Sequence, residues 1–170
     1  MAGEIIRGGG IVLRPTTEDD LAFLRTFFTD PDVYEHWGGS ALSDGEIIAK
    51  YLGRRSPAVQ CFIVHSDGQP VGYVQYHVAD DGGEGGGMDL VLLPAFRGRG
   101  VGTAATIAVV EYVQSQLGWR RFTVDPDAEN IRGVRFWTRV GFRPVRLIEG
   151  DGRRKPYWLM EWPVLPDEPA

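Results

Sequence analysis

The 170-residue sequence contains a single cysteine, Cys61, so no intrachain disulfide can form and a cysteine metal cluster is set aside. Cys61 opens the apolar stretch Cys61-Phe62-Ile63-Val64, where core packing suits it better than nucleophilic catalysis. Histidine is scarce as well. His36, His65 and His77 show no metal-ligand spacing, and no metal is expected. His65 and His77 read as packing or surface residues, while His36, beside Trp37, is open to a substrate role. Basic charge is not in excess: the formal net charge of -5 argues against nucleic acid as a partner and favours a cationic one. No apolar run approaches the length of a membrane span, and Met1-Ala2-Gly3-Glu4 lacks the basic then apolar layout of a secretion signal. A cytoplasmic protein without a membrane role is expected.

What is present fits one domain over residues 1–170, with its core at about 11–162. Ile11-Val12-Leu13-Arg14 predicts a first strand, and Thr17 with Asp20 forms a capping box ahead of a helix bearing Leu21, Leu24 and Phe28. Ser43 with Glu46 starts a second helix. The connection between them holds Tyr34, His36, Trp37, Gly38 and Gly39, which suits a binding loop or a core-edge plug. Residues 59–78 predict an antiparallel hairpin turning at Asp67-Gly68. A flexible acidic loop follows from Asp80 to Gly87, with Asp80, Asp81 and Glu84 able to attract a polycation, and then a short buried strand from Met88 to Leu93. Later come a helix ending at Gly118, a strand at 122–124, a helix at 130–140 closed by Gly141, and two strands flanking Glu149-Gly150-Asp151-Gly152.

The densest signal is Arg97-Gly98-Arg99-Gly100-Val101-Gly102 at a strand-to-helix turn. Diphosphate binding needs several donors converging on a small volume, and glycines let backbone N–H groups approach closely. At a helix start these groups are unpaired, the helix dipole presents its positive end, and Arg97 and Arg99 add charge. An anion site is expected. A P-loop would require Lys-Ser or Lys-Thr where Thr103-Ala104 stands, and a Rossmann fingerprint would open the sheet rather than follow three antiparallel strands.

Arg97, Gly100 and Gly102 resemble the acetyl-CoA signature of the GNAT superfamily of N-acetyltransferases, and Phe136 to Phe142 resembles the family's closing helix with its Gly-Phe end. The resemblance implies an α/β (α+β) GNAT fold, a mixed and mostly antiparallel sheet of six to seven strands with about four helices. Four stretches resemble the aminoglycoside 6'-N-acetyltransferases within it: Glu35 to Gly39, Gly72 to Gln75, Gly87 to Asp89, and Asp125 to Asn130.

By this resemblance acetyl-CoA is the co-substrate, contacted by Arg97, Gly98, Arg99, Gly100, Val101, Gly102 and Thr103, with Leu92, Asn130 and Trp137 also against it. Asn130 would bond the pantetheine arm. Trp37, Gln75, Asp89 and Asp125 would line the pocket of a small-molecule amine, with Asp89 as proton acceptor and Asp125 on a second ammonium. A backbone N–H of a bulged strand near Leu92 would stabilise the oxyanion. The family often uses a tyrosine to protonate the leaving thiolate, but Trp137 stands there, leaving solvent, Tyr112, Thr138 or departure without protonation. Other acceptors consistent with the residues are a peptide, a polyamine or a siderophore precursor. A non-catalytic acyl-CoA sensor and a monomeric or homodimeric state also remain open.

Overall fold

The computed structural model describes residues 3–79 and 84–163. Asp80 and Asp81 of the expected acidic loop, and the end of the chain from 164 to 170, lie outside the described residues. The first half comprises strands β1 (Ile6–Gly8) and β2 (Ile11–Pro15), helices α1 (Leu21–Phe28), α2 (Pro31–Tyr34) and α3 (Asp44–Tyr51), and strands β3 (Val59–Ser66) and β4 (Gln69–Val78). The second comprises strand β5 (Gly85–Leu92), helix α4 (Val101–Ser115), strand β6 (Arg121–Val124), helix α5 (Ile131–Val140), and strands β7 (Arg143–Ile148) and β8 (Tyr157–Glu161).

All eight strands join one sheet in the order β1-β2-β3-β4-β5-β6-β8-β7. The fold is therefore of the expected kind, with one strand and one helix more. The extra strand, β1, folds back on β2 through Gly9-Gly10, whose positive φ values of 57° and 80° make the two-residue turn. The extra helix, α2, is a single short segment started by Pro31 and capped by Asp30, whose side chain accepts from the Asp32 N–H.

Both faces of the central strands are covered, which their sequence shows in alternation. Phe62 and Val64 pack with Val74, Met88 and the buried side of α4, while Cys61 and Ile63 point the other way onto Leu24, Phe27, Phe28 and Ile47. The Thr17–Asp20 box caps a short 3-10 turn ahead of α1 rather than α1 itself. The Ser43–Glu46 box caps α3 directly.

The glycine-rich stretch differs from expectation. Gly85, Gly86 and Gly87 are strand, not loop, and they pair with β4 on one side and β6 on the other. A Cβ at Gly86 would meet the His77 carbonyl and stand 2.5 Å from the Trp119 ring, so close approach rather than flexibility requires glycine there.

The β5–β6 ladder, the parallel one in the sheet, runs only from Gly85↔Arg121 to Gly87↔Thr123. Beyond it β6 turns to β8, and Met88 to Leu92 borders an opening in the sheet. This opening positions the site.

Candidate active site

Two adjoining cavities lie where β5 and β6 part. The first, about 740 Å³, is bordered by the Glu35–Ser40 turn, α3, the C-terminal part of β5, the segment after β6 and the β7–β8 hairpin. The second, about 450 Å³, is bordered by Leu90 to Leu92, the glycine turn before α4, and α5.

The second cavity has the chemistry of an anion groove. Gly98 and Gly100 have φ values of 73° and 82°, and Gly100 occupies the N-cap of α4, so the first N–H groups of that helix face the groove without side chains intervening. Gly102 sits where a Cβ would come within 3.1 Å of the Phe136 ring, which closes the groove wall. Thr103 and Arg97 also line it, and an Arg97 guanidinium nitrogen donates to the Asp32 carbonyl at 3.2 Å. Two expected contacts fall elsewhere. The Arg99 guanidinium lies over the Phe96 ring at 5.7 Å, and the Val101 side chain is buried in the core, so neither borders the groove. Arg132 and Arg139 of α5 line the groove as well. Sequence reasoning missed them, although their position on an arginine-rich face of α5 was visible.

The bulge expected near Leu92 is absent, because the β4–β5 register runs without a shift from Gly72↔Leu92 to Val78↔Gly86. The open N–H arises differently. The Leu93 N–H donates to the Val71 carbonyl on β4, and alternation along a strand therefore turns the Leu92 and Leu90 N–H groups to the opposite side, where β6 has parted.

In the first cavity Asp89 stands on β5 opposite Gln75 of β4. The Gln75 amide donates to Asp89 Oδ2 at 3.0 Å, while its own carbonyl oxygen accepts from the Tyr73 hydroxyl at 2.7 Å and from Arg55 at 3.3 Å. Gln75 is thus buried behind Asp89 and does not line the cavity as expected, since the strand's alternation directs its side chain to the interior cluster around Tyr73. His77, read as packing or surface, lies with Nδ1 3.9 Å from Asp89 Oδ2. Burial pushes the Asp89 carboxyl up, and the nearby Asp125 charge pushes it in the same direction.

Asp125 also lines the cavity, but Arg154 of the β7–β8 hairpin already holds it, with Nη1 donating to Oδ2 at 3.0 Å. The expectation that Asp125 waits for a second ammonium is corrected: in this structure a protein cation occupies that position. Lys50, Arg153 and Lys155 border the same cavity, a basic side that the residue-by-residue reading had not assigned.

Trp37 plugs the core edge, as one reading of its sequence had it, and also borders both cavities. It packs on Phe28 and Tyr73, and its indole N–H donates to the Tyr51 hydroxyl at 2.9 Å. Asn130 also borders both; its Oδ1 accepts from the Gly133 N–H at 2.9 Å, which caps α5 and leaves the amide NH₂ to donate. Trp137 is buried against Phe136 and Phe142 with an edge in both cavities. The two expected stand-ins for a thiolate acid lie away from them. Tyr112 packs beside Tyr76 on the far side of α4, and the Thr138 hydroxyl donates to the Val134 carbonyl at 2.8 Å.

An anion groove at a helix start that meets a carboxylate-bearing cleft in a parted sheet is the arrangement of an acyl-transfer fold. The family described as acetyltransferase (GNAT) domain matches residues 11–143, and the chain belongs to that family. It is 29% identical over 147 residues to the aminoglycoside N(6')-acetyltransferase type 1 of Klebsiella pneumoniae, an alignment covering 78% of this chain and 73% of that one. Its fold is similar to AAC(6')-Ib in complex with ribostamycin and coenzyme A, with a TM-score of 0.80, 26% identity, and 91% and 93% of the two chains covered. A spermidine N-acetyltransferase from Vibrio cholerae shares the fold at a TM-score of 0.77 and 18% identity, over 89% of this chain and 94% of that one.

Proposed function

We propose that this acetyltransferase moves the acetyl group of acetyl-CoA directly to a primary amine of a cationic small molecule, the 6'-amine of an aminoglycoside being the leading acceptor. The observation that carries the reading is Asp89, a carboxylate held by Gln75 in a cleft that joins the groove at the α4 N-terminus. Likeness to the aminoglycoside N(6')-acetyltransferase supports the acceptor.

In this reading the α4 amides, with Arg97 and Arg132, hold the diphosphate of the coenzyme, and the Asn130 amide steadies its pantetheine arm. Asp89 attracts the substrate ammonium and takes one proton from it, because only the neutral amine has a lone pair for attack. Its raised proton affinity suits that task at neutral pH. The Leu92 N–H, on the open side of β5, faces the oxyanion that develops as the carbonyl is attacked.

A thiol-release assay with acetyl-CoA and kanamycin, tobramycin, spermidine and short peptides tests this. Turnover of kanamycin with loss of about a hundredfold in Asp89→Asn is the expected result. Turnover of peptides alone would replace the acceptor. A specific observation favours that as the second reading: Lys50, Arg153, Arg154 and Lys155 border the cleft and suit an amine that also carries an anionic group.

A further inference from the structure

The thioester must sit where the coenzyme groove and the acceptor cleft meet, because its sulfur belongs to one ligand and its carbonyl is attacked by the other. The residues that border both cavities mark this place: His36, Trp37, Leu90, Asn130 and Trp137. Of these, histidine alone carries a side chain that can serve as a general acid. The titratable groups around it belong to one cavity or the other. Asp32, Arg97, Arg132 and Arg139 border only the coenzyme groove, and Glu35 and Tyr51 only the acceptor cleft.

We propose that His36 is a catalytic residue, the general acid that protonates the departing coenzyme A thiolate. This rests on the acetyl-transfer reading above but not on the identity of the acceptor. Its backbone is well fixed. Trp37, next in the chain, is anchored by Tyr51, Phe28 and Tyr73, and the N–H groups of Trp37 and Gly39 both donate to the Tyr34 carbonyl at 2.9 Å. The side chain itself is exposed, and no hydrogen bond engages the imidazole among the described residues, so it is available both to the sulfur and to solvent. None of the other protein groups weighed for this role fills it: Trp137 has no acidic proton to give, Tyr112 lies across the core, and the Thr138 hydroxyl is bonded to its own helix.

The step balances. Collapse of the tetrahedral adduct breaks the C–S bond, the bonding pair goes to sulfur, and the His36 imidazolium transfers its N–H proton there. The neutral imidazole regains a proton from water. The amine gives up two protons in all, one to Asp89, which passes it on to water, and one directly to water; one of the two balances the proton that His36 gave to sulfur, which leaves one proton released per amide formed.

The test is steady-state thiol release by His36→Ala with kanamycin, with and without added imidazole, after subtraction of acceptor-free thioester loss. A fall in kcat of about tenfold or more is expected, with the acceptor KM and the calorimetric Kd of acetyl-CoA within threefold of the parent, and with imidazole restoring a large part of the rate. Unchanged kcat overturns the proposal. So does a lower kcat that imidazole does not restore, or a loss confined to KM, since either would make His36 a contact rather than an acid. If the parent enzyme leaves kanamycin untouched, the aminoglycoside reading fails by itself, and the same comparison with whichever of spermidine and the short peptides turns over decides on His36; turnover of none overturns both readings.

Discussion

Arg154 and Asp125 are joined twice: one guanidinium nitrogen donates to the Asp125 carboxylate at 3.0 Å and the other to its main-chain carbonyl at 2.8 Å. The guanidinium also lies 3.6 Å from the centre of the Tyr157 ring, and the Asp151 carboxylate accepts from the Arg153 and Arg154 N–H groups to hold the hairpin in shape. A second ammonium on the proposed acceptor would therefore compete with Arg154 for the Asp125 carboxylate. Because the pair is partly exposed, its worth is at most about 1 kcal/mol. Arg154→Ala should lower KM for kanamycin up to about fivefold, leave kcat within twofold, and leave the KM of a monoamine acceptor unchanged. Parallel steady-state curves for the two acceptors check this.

With Asp89 as the proposed proton acceptor, the acid side of the pH profile should report its ionisation. Burial and the Asp125 charge both favour its protonated form, so its carboxyl ionises above the ordinary range near 4. The acid limb of kcat/KM should accordingly lie above that range. Asp125→Asn removes a negative neighbour and should move the limb to lower pH, whereas movement to higher pH would contradict the assigned cause.

The same shift has a stability consequence of definite sign. A carboxyl whose folded pKa lies above its unfolded value opposes folding increasingly as pH rises from the unfolded to the folded pKa, and fully above both. Asp89→Asn should therefore raise Tm at neutral pH while abolishing most turnover, about 1 kcal/mol corresponding to about 2–4 °C in a chain of this size. Below the ordinary carboxylate range the two proteins should melt alike. Thermal scans across pH separate this from a general packing effect.

Gly100 has a φ of 82° at the N-cap of α4. A β-branched residue there costs about 1–2 kcal/mol of backbone strain and places a side chain over the free amides. Gly100→Val should weaken acetyl-CoA binding about tenfold or more by calorimetry, with the circular dichroism of the fold retained. Retained affinity would move the diphosphate away from this turn.

Gly86 is a test of the sheet rather than the site. An added methyl meets the His77 carbonyl and the Trp119 ring, neither of which can retreat without disturbing β4 or the core. Gly86→Ala should cost about 3 kcal/mol, which is about 6–12 °C in Tm. The double variant Gly86→Ala with Trp119→Leu should not recover it, because the backbone carbonyl remains in the way.

The sequence alone determined most of the order of elements and the glycine turn that opens α4. Both are local: Phe62, Ile63 and Val64 alternate between two covered faces, and Gly98 and Gly100 take positive φ at a helix start in a turn written by consecutive residues. Only the tertiary structure decided which acidic groups are available and what surrounds them. Gln75 lies behind Asp89, Arg154 holds Asp125 from 29 residues away, and His36 and Trp137 both border the two cavities that open where a parallel ladder ends at Gly87. Gly85 to Gly87 could not be read as strand from propensity, since what makes glycine necessary there comes from elsewhere in the chain: the Arg121 backbone against Gly85, the His77 carbonyl and Trp119 ring against Gly86, and the His77 ring and Thr123 carbonyl against Gly87. Chemistry that depends on neighbours distant in the chain is set by strand pairing and burial, and these are properties of the folded sheet rather than of any segment.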